Sequence, residues 1–258
     1  MEGEVLTRDQ NQRILEFVME AGVTLLQSGA EVARVQESMI YMARGLHLKE
    51  FDVYVITNGI MASAGTAELA KICHVEGISI QLAQLEAVNA LSRDIAQGRV
   101  TDVGEAEQRL VQARRVPGSP GWAQVLAVCV GCSAFAMLFG GSLIEGLASF
   151  AVGAPLGWML WWMGAHGKNM QVARILGAAW ATVCCLLLAG CIPGFNADNA
   201  IIGCLLALTP GVAITMGIRD FVHADYLSGL IRVIDALVSA GSIACGVGAV
   251  YVLRSWFF

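Results

Sequence analysis

Charge is scarce in this sequence and unevenly placed. Asp, Glu, Lys and Arg make up 14% of its 258 residues against 56% hydrophobic ones, at a mean hydropathy of +0.63. That is too apolar for an ordinary soluble protein of this length. Residues 118–258 hold five Lys/Arg and five Asp/Glu, whereas residues 1–117 hold 11 and 16, so the net charge of −5 belongs to the first part. Cysteine is nearly missing from that first part, where only Cys73 of the eight occurs. The other seven lie in the apolar part, where a cysteine is most simply a small packing residue, so no disulfide framework and no redox centre is expected. Cys129-x-x-Cys132, a thiol-type spacing inside an apolar run, is read the same way. The opening "MEGEVLTRDQNQRILEF" lacks the basic and apolar regions of a secretory signal, which keeps the first part in the cytosol. There is no Gly-rich phosphate loop, nucleophile elbow, metal-ligand spacing or basic patch with interleaved aromatics. Neither a cofactor, a metal, a catalytic residue nor a nucleic-acid partner is therefore expected. Ser28, Ser63, Cys73, His47 and His74 offer nucleophiles and bases without the companions that catalysis needs.

What is present falls into two blocks that meet at Arg114-Arg115-Val116-Pro117-Gly118: a soluble, mildly acidic domain over 1–117 and a transmembrane domain over 118–258. A bilayer span needs about 20 mostly apolar residues. Five stretches qualify, at about 121–140, 142–163, 172–193, 197–217 and 229–253. The short links "GGS" and "PGFNAD" make their neighbours antiparallel. Arg114, Arg115, Lys168, Arg174, Arg219 and Arg232 fall on one side of these spans and only Arg254 on the other. That asymmetry predicts the N-terminus inside, five crossings and the C-terminus outside. "WMLWW" reads as an inner aromatic belt and "YVLRSWFF" as an interfacial anchor, while Asn196, Asp198 and Asn199 read as an outer turn and N-cap. Glycine and alanine dominate the spans and allow close helix packing in lipid, compatible with a homo-oligomer whose symmetry composition does not choose.

In the soluble block, Ile14, Phe17, Val18, Ala21 and Leu25 recur at helical spacing. Ser28-Gly29-Ala30-Glu31 reads as a capping box opening a second helix lined by Val32, Val35, Met39 and Met42, with Gly45 as its stop. "FDVYVIT" before Asn58-Gly59 predicts a hairpin returning through "IMASA", with a further strand at "LAKICHV". Residues 80–97 and 103–115 read as two more helices, the first with Leu82, Leu85, Val88, Leu91 and Ile95 on one face. The block is α+β, packed on a short antiparallel sheet.

The stretch "LTPGVAITMGIRDFVHADYLSGLIRVIDAL", residues 208–237, breaks an apolar run at Thr209-Pro210-Gly211 and then concentrates Arg219, Asp220, His223, Asp225, Arg232 and Asp235. Pro210 has no amide proton, so the carbonyl of Leu206 loses its helical partner, and Gly211 permits a bend. Irregular backbone at membrane depth survives only when buried in protein or facing a water-lined cavity. Asp220 and Arg219 fall near the inner interface, where snorkelling into water costs little, or else Asp220 and Arg232 form a charge pair with a gating or coupling role. Arg232 and Asp235, one turn apart, can simply pair. Glu145 is read either as an interfacial carboxylate in water or as a group that protonates during transport.

This stretch, together with "LLQSGAEVARVQESM" and "VITNGIMASA", resembles the threonine/serine exporter family of membrane transporters over nearly the whole chain. The resemblance implies an α-helical membrane protein, an N-terminal cytosolic α+β domain followed by a five-helix bundle with a Pro-Gly-broken fourth span. It places the family's Pro-Gly at Pro210-Gly211, its aspartate at Asp220, its later glycine at Gly229, its basic residue at Arg232, and its cytosolic signature at Gly29-Ala30 followed by Arg34. Ala224 is a departure, since many members have glycine there, and it leaves the turn open. The implied activity is export of a small carboxylate or amino acid across a bacterial cytoplasmic membrane, threonine and serine in fused members and succinate-like dicarboxylates in a split form. The chain stops at Phe258 and so resembles the split type, whose partner is a shorter membrane subunit. Thr209, Pro210, Gly211 and Thr215 become candidates for holding the carboxylate, Arg232 for its countercharge, Asp220 for a gate, and Glu145 and Asp235 for coupling to an ion gradient. Two rivals remain: a regulatory subunit whose cytosolic domain senses a ligand, and a membrane-tethered hydrolase.

Overall fold

A computed structural model of the chain describes residues 8–65 and 69–257. The first residues of the acidic N-terminal stretch, Phe258 and the side chain of Phe257 lie outside the described set. The chain divides into two units, one comprising Met1–Gly118 and Thr215–Arg232, the other Ser119–Ile214 and Val233–Phe258.

The first unit begins with α1 (Arg8–Gln27) and α2 (Val32–Gly45). The strands β1 (Asp52–Ile56), β2 (Gly59–Ala64) and β3 (Leu69–His74) follow, then α3 (Leu82–Ala96) and α4 (Val103–Arg114). The predicted apolar faces of α1 and α2 are buried, with Val18, Val32, Val35, Met39 and Met42 fully enclosed. Each such side chain contributes about 1.5–3 kcal/mol of transfer free energy. The strands form an antiparallel meander in the order β1-β2-β3. Val55, Ile60, Ala62 and Ala64 face the core, while Tyr54, Met61 and Ile72 sit side by side on the exposed face. On α3, Val88, Leu91 and Ile95 are buried as expected, but Leu82 opens the helix on its exposed side.

Two local expectations are corrected, and a third, the stop at Gly45, holds for another reason. The capping box does not form: Ser28 Oγ donates to Thr24 O at 2.7 Å, and Glu31 is itself the N-cap of α2 with no side-chain capping bond. The reason is Gly29, whose φ of 84° turns the chain after α1 and cannot begin a helix. The hairpin turns at Thr57-Asn58, because Gly59 already pairs with Ile56. Gly45 is the last residue of α2, but the left-handed residue beyond it is His47 at φ 60°. Gly45 is small because a Cβ there would lie 2.6 Å from the carbonyl oxygen of Ile95 on α3.

Ion pairs fasten α4 to its neighbours. Arg13 grips Glu107 through two bonds of 2.8 and 2.6 Å, and Arg114 donates to Thr24 Oγ1 at 2.9 Å. Asp94 receives both Arg99 and Arg109. The hydrogen bond from Arg13 holds the Glu107 carboxyl below its usual range, and that from Arg99 does the same for Asp94.

The second unit contains α5 (Gly121–Leu138), α6 (Leu143–Ala165), α7 (Met170–Cys191) and α8 (Ala197–Leu206). It also takes the first residues of α9 (Gly211–Val222) and the part of α10 (Tyr226–Phe257) from Val233 onward. Among the described residues four helices are long and apolar enough to cross a membrane, and α8 with α9, bent by 54° at their break, makes a fifth span if the two count as one. Trp122, Leu138, Leu143, Leu147 and Leu187 point outward, a surface that suits lipid and not water. Inside, Gly153 and Gly157 let α6 approach α5 until added Cβ atoms would stand 3.1 Å from the Cα atoms of Cys129 and Val125. Cys132 packs in this core with Leu156, Cys185 and Cys204. Gln171 reaches Ser239 and Ser242 at 3.4 and 3.2 Å, a polar link between α7 and α10 in an otherwise apolar interior.

Candidate functional site

The charged segment Thr215–Arg232 belongs to the first unit, and its geometry follows from how α9 ends. Asp225 N donates to Asp220 O at 2.9 Å and Ala224 N to Phe221 O at 3.1 Å, the paired bonds of a Schellman motif. Such a motif needs a left-handed residue after the helix, and Ala224 supplies it at φ 64°. The departure from glycine therefore keeps the glycine-type turn, at the steric cost of about 1–2 kcal/mol that an L-residue meets there. The turn folds the start of α10 back along α9. Gly229 allows the close approach, since a Cβ there would lie 2.8 Å from Phe221 and 3.0 Å from Gly217 O.

This fold-back brings Arg232 onto Asp220. Arg232 Nε donates to Asp220 Oδ2 at 2.9 Å, with the two side chains only 10% and 1% exposed. Arg232 Nη1 also reaches Met216 Sδ at 3.4 Å. Asp220 is thus buried and paired, not snorkelling at an interface. The local Arg232–Asp235 pair does not form; Asp235 is exposed, and its carbonyl accepts Ser239 Oγ at 2.8 Å. A second pair ties α9 to α2: Arg219 Nε lies 2.8 Å from Glu31 Oε1. His223 Nδ1 lies 3.7 Å from the same oxygen and 2.9 Å from Arg219 O.

Beside that pair is a cavity of about 140 Å³ in the first unit. Gly29, Ala30 and Arg34, the three N-terminal signature positions, all line it, with Glu31, Asn89 and Arg219. Glu31 and Asn89 were not singled out by their sequence context. Glu31 was hidden by its plausible capping role, although a Glu-x-x-Arg step on a helix start with no other acidic residue was a usable signal.

The remaining candidates lie in the second unit, except Thr215, which is in the first. Helix α8 closes with Leu208 N on Leu205 O and Thr209 N on Leu206 O, so the Leu206 carbonyl that Pro210 cannot serve is taken by Thr209. Thr209 Oγ1 donates to Leu205 O at 3.1 Å, Pro210 is buried, and its carbonyl accepts Ile214 N at the start of α9. Thr215 is exposed on α9. Glu145 is not an interfacial carboxylate in water. It is 4% exposed, completes a capping box with Ser142, and accepts the amide of Asn196 at 2.8 Å, which joins the start of α6 to the loop before α8. Asn196 caps α8 as expected, accepting from Asp198 N at 3.0 Å. Among the described residues no group of His, Cys, Asp or Glu is placed to hold a metal ion.

Several helices long and apolar enough to cross a membrane, in a chain that also carries an α+β unit and a buried ion pair, fit a multi-pass membrane protein. The chain belongs to the threonine/serine exporter family: the family model described as "Putative threonine/serine exporter" matches residues 16–254, across both units. Neither the curated proteins nor the solved structures contain a match to it.

Proposed function

We propose that the chain is a subunit of a cytoplasmic-membrane exporter of small carboxylate-bearing solutes, threonine and serine or a succinate-like dicarboxylate, working with a shorter membrane partner. The observation that carries this reading is the buried Asp220–Arg232 pair on the segment that follows the helix break. A guanidinium already satisfied by a carboxylate is a resting state for a site that handles carboxylates. A substrate carboxylate, or protonation of Asp220, releases Arg232, and the exchange of partners is a switch between two packings of α9 on α10. Thr215 on α9 is assigned to contact the solute, and Thr209-Pro210-Gly211 to supply a flexible break with Glu145 and Asp235 as the reserve coupling carboxylates. In this arrangement α8 and α9 are one broken fourth span of five, the N-terminus is cytosolic, the C-terminus is outside, and an ion gradient supplies the energy.

The test is efflux from cells preloaded with labelled threonine or succinate, expressing the chain with and without its short partner. Efflux that needs both proteins and is lost in Arg232→Ala and Pro210→Ala is expected. Wild-type flux in correctly inserted variants removes those residues from the mechanism. A second reading, a regulatory subunit whose cytosolic unit senses a small ligand, is favoured by the cavity beside Glu31. Ligand binding without any change of flux on altering Pro210 supports it.

A further inference from the structure

We infer that the cavity of the first unit binds the zwitterion of a small α-amino acid. The choice of solutes rests on the exporter reading, but the site is argued from its own chemistry.

Its volume of about 140 Å³ compares with the roughly 150 Å³ of an engineered cavity that accepts benzene, so it admits a ligand of about six to eight non-hydrogen atoms. Leu85 and Met216, both partly accessible, form its apolar wall over the buried Leu25 and Val35, and Glu31, Arg34, Asn89 and Arg219 supply its polar groups. The charges are arranged in an unusual way. Glu31 and Arg34 stand three residues apart at the start of α2, on the same helix face, yet do not pair. Glu31, only 6% exposed, is engaged by Arg219 instead. Among the described residues neither the Arg34 guanidinium nor the Asn89 amide has a hydrogen-bond or ion-pair partner. A cation in the first turn of a helix that carries no acidic residue there opposes the helix dipole. Water and the Glu31 N-cap reduce that cost for an exposed Arg34, and a carboxylate bound in the cavity would remove it.

The same geometry selects against a plain anion. Any ligand that sets a carboxylate on Arg34 and Asn89 brings its remaining atoms beside the Glu31 carboxylate, about one helix turn away. A second carboxylate there meets like charge in a partly dry site, whereas an ammonium shares the carboxylate with Arg219. Both protein partners of Glu31 approach Oε1, so the ammonium is assigned to its other oxygen. A short side chain such as that of serine or threonine then faces Leu85 and Met216.

The experiment is isothermal titration calorimetry on the full chain in lipid nanodiscs, with L-threonine, L-serine, N-acetyl-L-threonine and succinate as probes. Saturable binding of threonine or serine is expected, weakened at least tenfold by acetylating the amine and at least tenfold by Arg34→Gln. Arg34 is exposed and unpaired, so Arg34→Gln is expected to melt at or slightly above the parent's temperature, and Asn89→Ala gives a second, independent loss of affinity. Absence of binding, equal binding of N-acetyl-L-threonine, preference for succinate, or full affinity in both variants overturns the inference. Efflux measured in parallel separates the two readings. Threonine export that coexists with no binding at this cavity sinks the cavity and spares the exporter; threonine bound here with no export of any solute does the reverse.

Discussion

Removing one member of the Asp220–Arg232 pair should destabilise the protein more than any other single change in the charged segment. At 2.9 Å, two unit charges attract by about 6 kcal/mol at an effective dielectric of about 20. Most of that offsets desolvation, so the pair as a whole is worth much less. The informative quantity is the cost of stranding one charge. With Asp220 only 1% exposed, Arg232→Met leaves a carboxylate in a site without water, at about 3–5 kcal/mol. For a chain of this size that is a fall of roughly 10 °C in the thermal midpoint. Asp220→Leu strands the guanidinium at a smaller cost, because Arg232 is nearer the surface of its site and keeps Met216. The double variant Asp220→Leu/Arg232→Met removes both charges and should recover most of the loss, giving a coupling energy of about 2 kcal/mol or more. The assay is thermal unfolding of each purified variant in nanodiscs, with the exposed Arg254→Met as a reference. If Arg232→Met melts like the reference, or the double variant is as unstable as the sum of the singles, the pair is neither buried nor coupled and the reasoning fails.

Other consequences are more local. Ala224→Gly should stabilise by about 0.5–1 kcal/mol, since the relief of a left-handed alanine exceeds the added entropy of the unfolded chain; a lower melting point would contradict the Schellman geometry. Gly45→Ala should cost about 1–3 kcal/mol by pushing α2 from Ile95 on α3, and unchanged denaturation would show that the two helices are not in contact there. Glu107 and Asp94 titrate below the usual carboxylate range when folded, so their contribution is present above the unfolded value near 4 and is lost as pH falls through the folded value. The acid side of the stability profile should therefore flatten in Arg13→Gln and Arg99→Gln, most clearly at low salt because these carboxylates are close to water. An unaltered profile would mean that the arginines do not hold the acids.

Much of the architecture was legible because it depends on neighbours in the chain. The apolar spacing of α1 and α2, the charge-poor runs of the second unit and the Asn196 cap are all matters of a few adjacent residues. The capping box failed for the same reason that it looked convincing, and the Gly45 stop held for a different reason from the expected one. Each local motif had a local explanation, and packing chose another, Gly29 for a turn and Gly45 for contact with Ile95. Glu145 likewise reads as a solitary acid in sequence and becomes a buried cap once the loop before α8 presents the Asn196 amide.

The sequence alone determined the separation of an acidic α+β block from apolar helices, the break at Thr209-Pro210-Gly211, and the concentration of charge that follows it. Partner choice belonged to the tertiary structure. Arg232 had Asp235 one turn away and took Asp220 twelve positions back, because the turn at Ala224 lays α10 along α9. Glu31 met Arg219 across most of the chain's length, and only that meeting frees Arg34 beside a cavity. A charge is satisfied by whatever opposite charge lies within about 4 Å, and distance along the chain does not report distance in space.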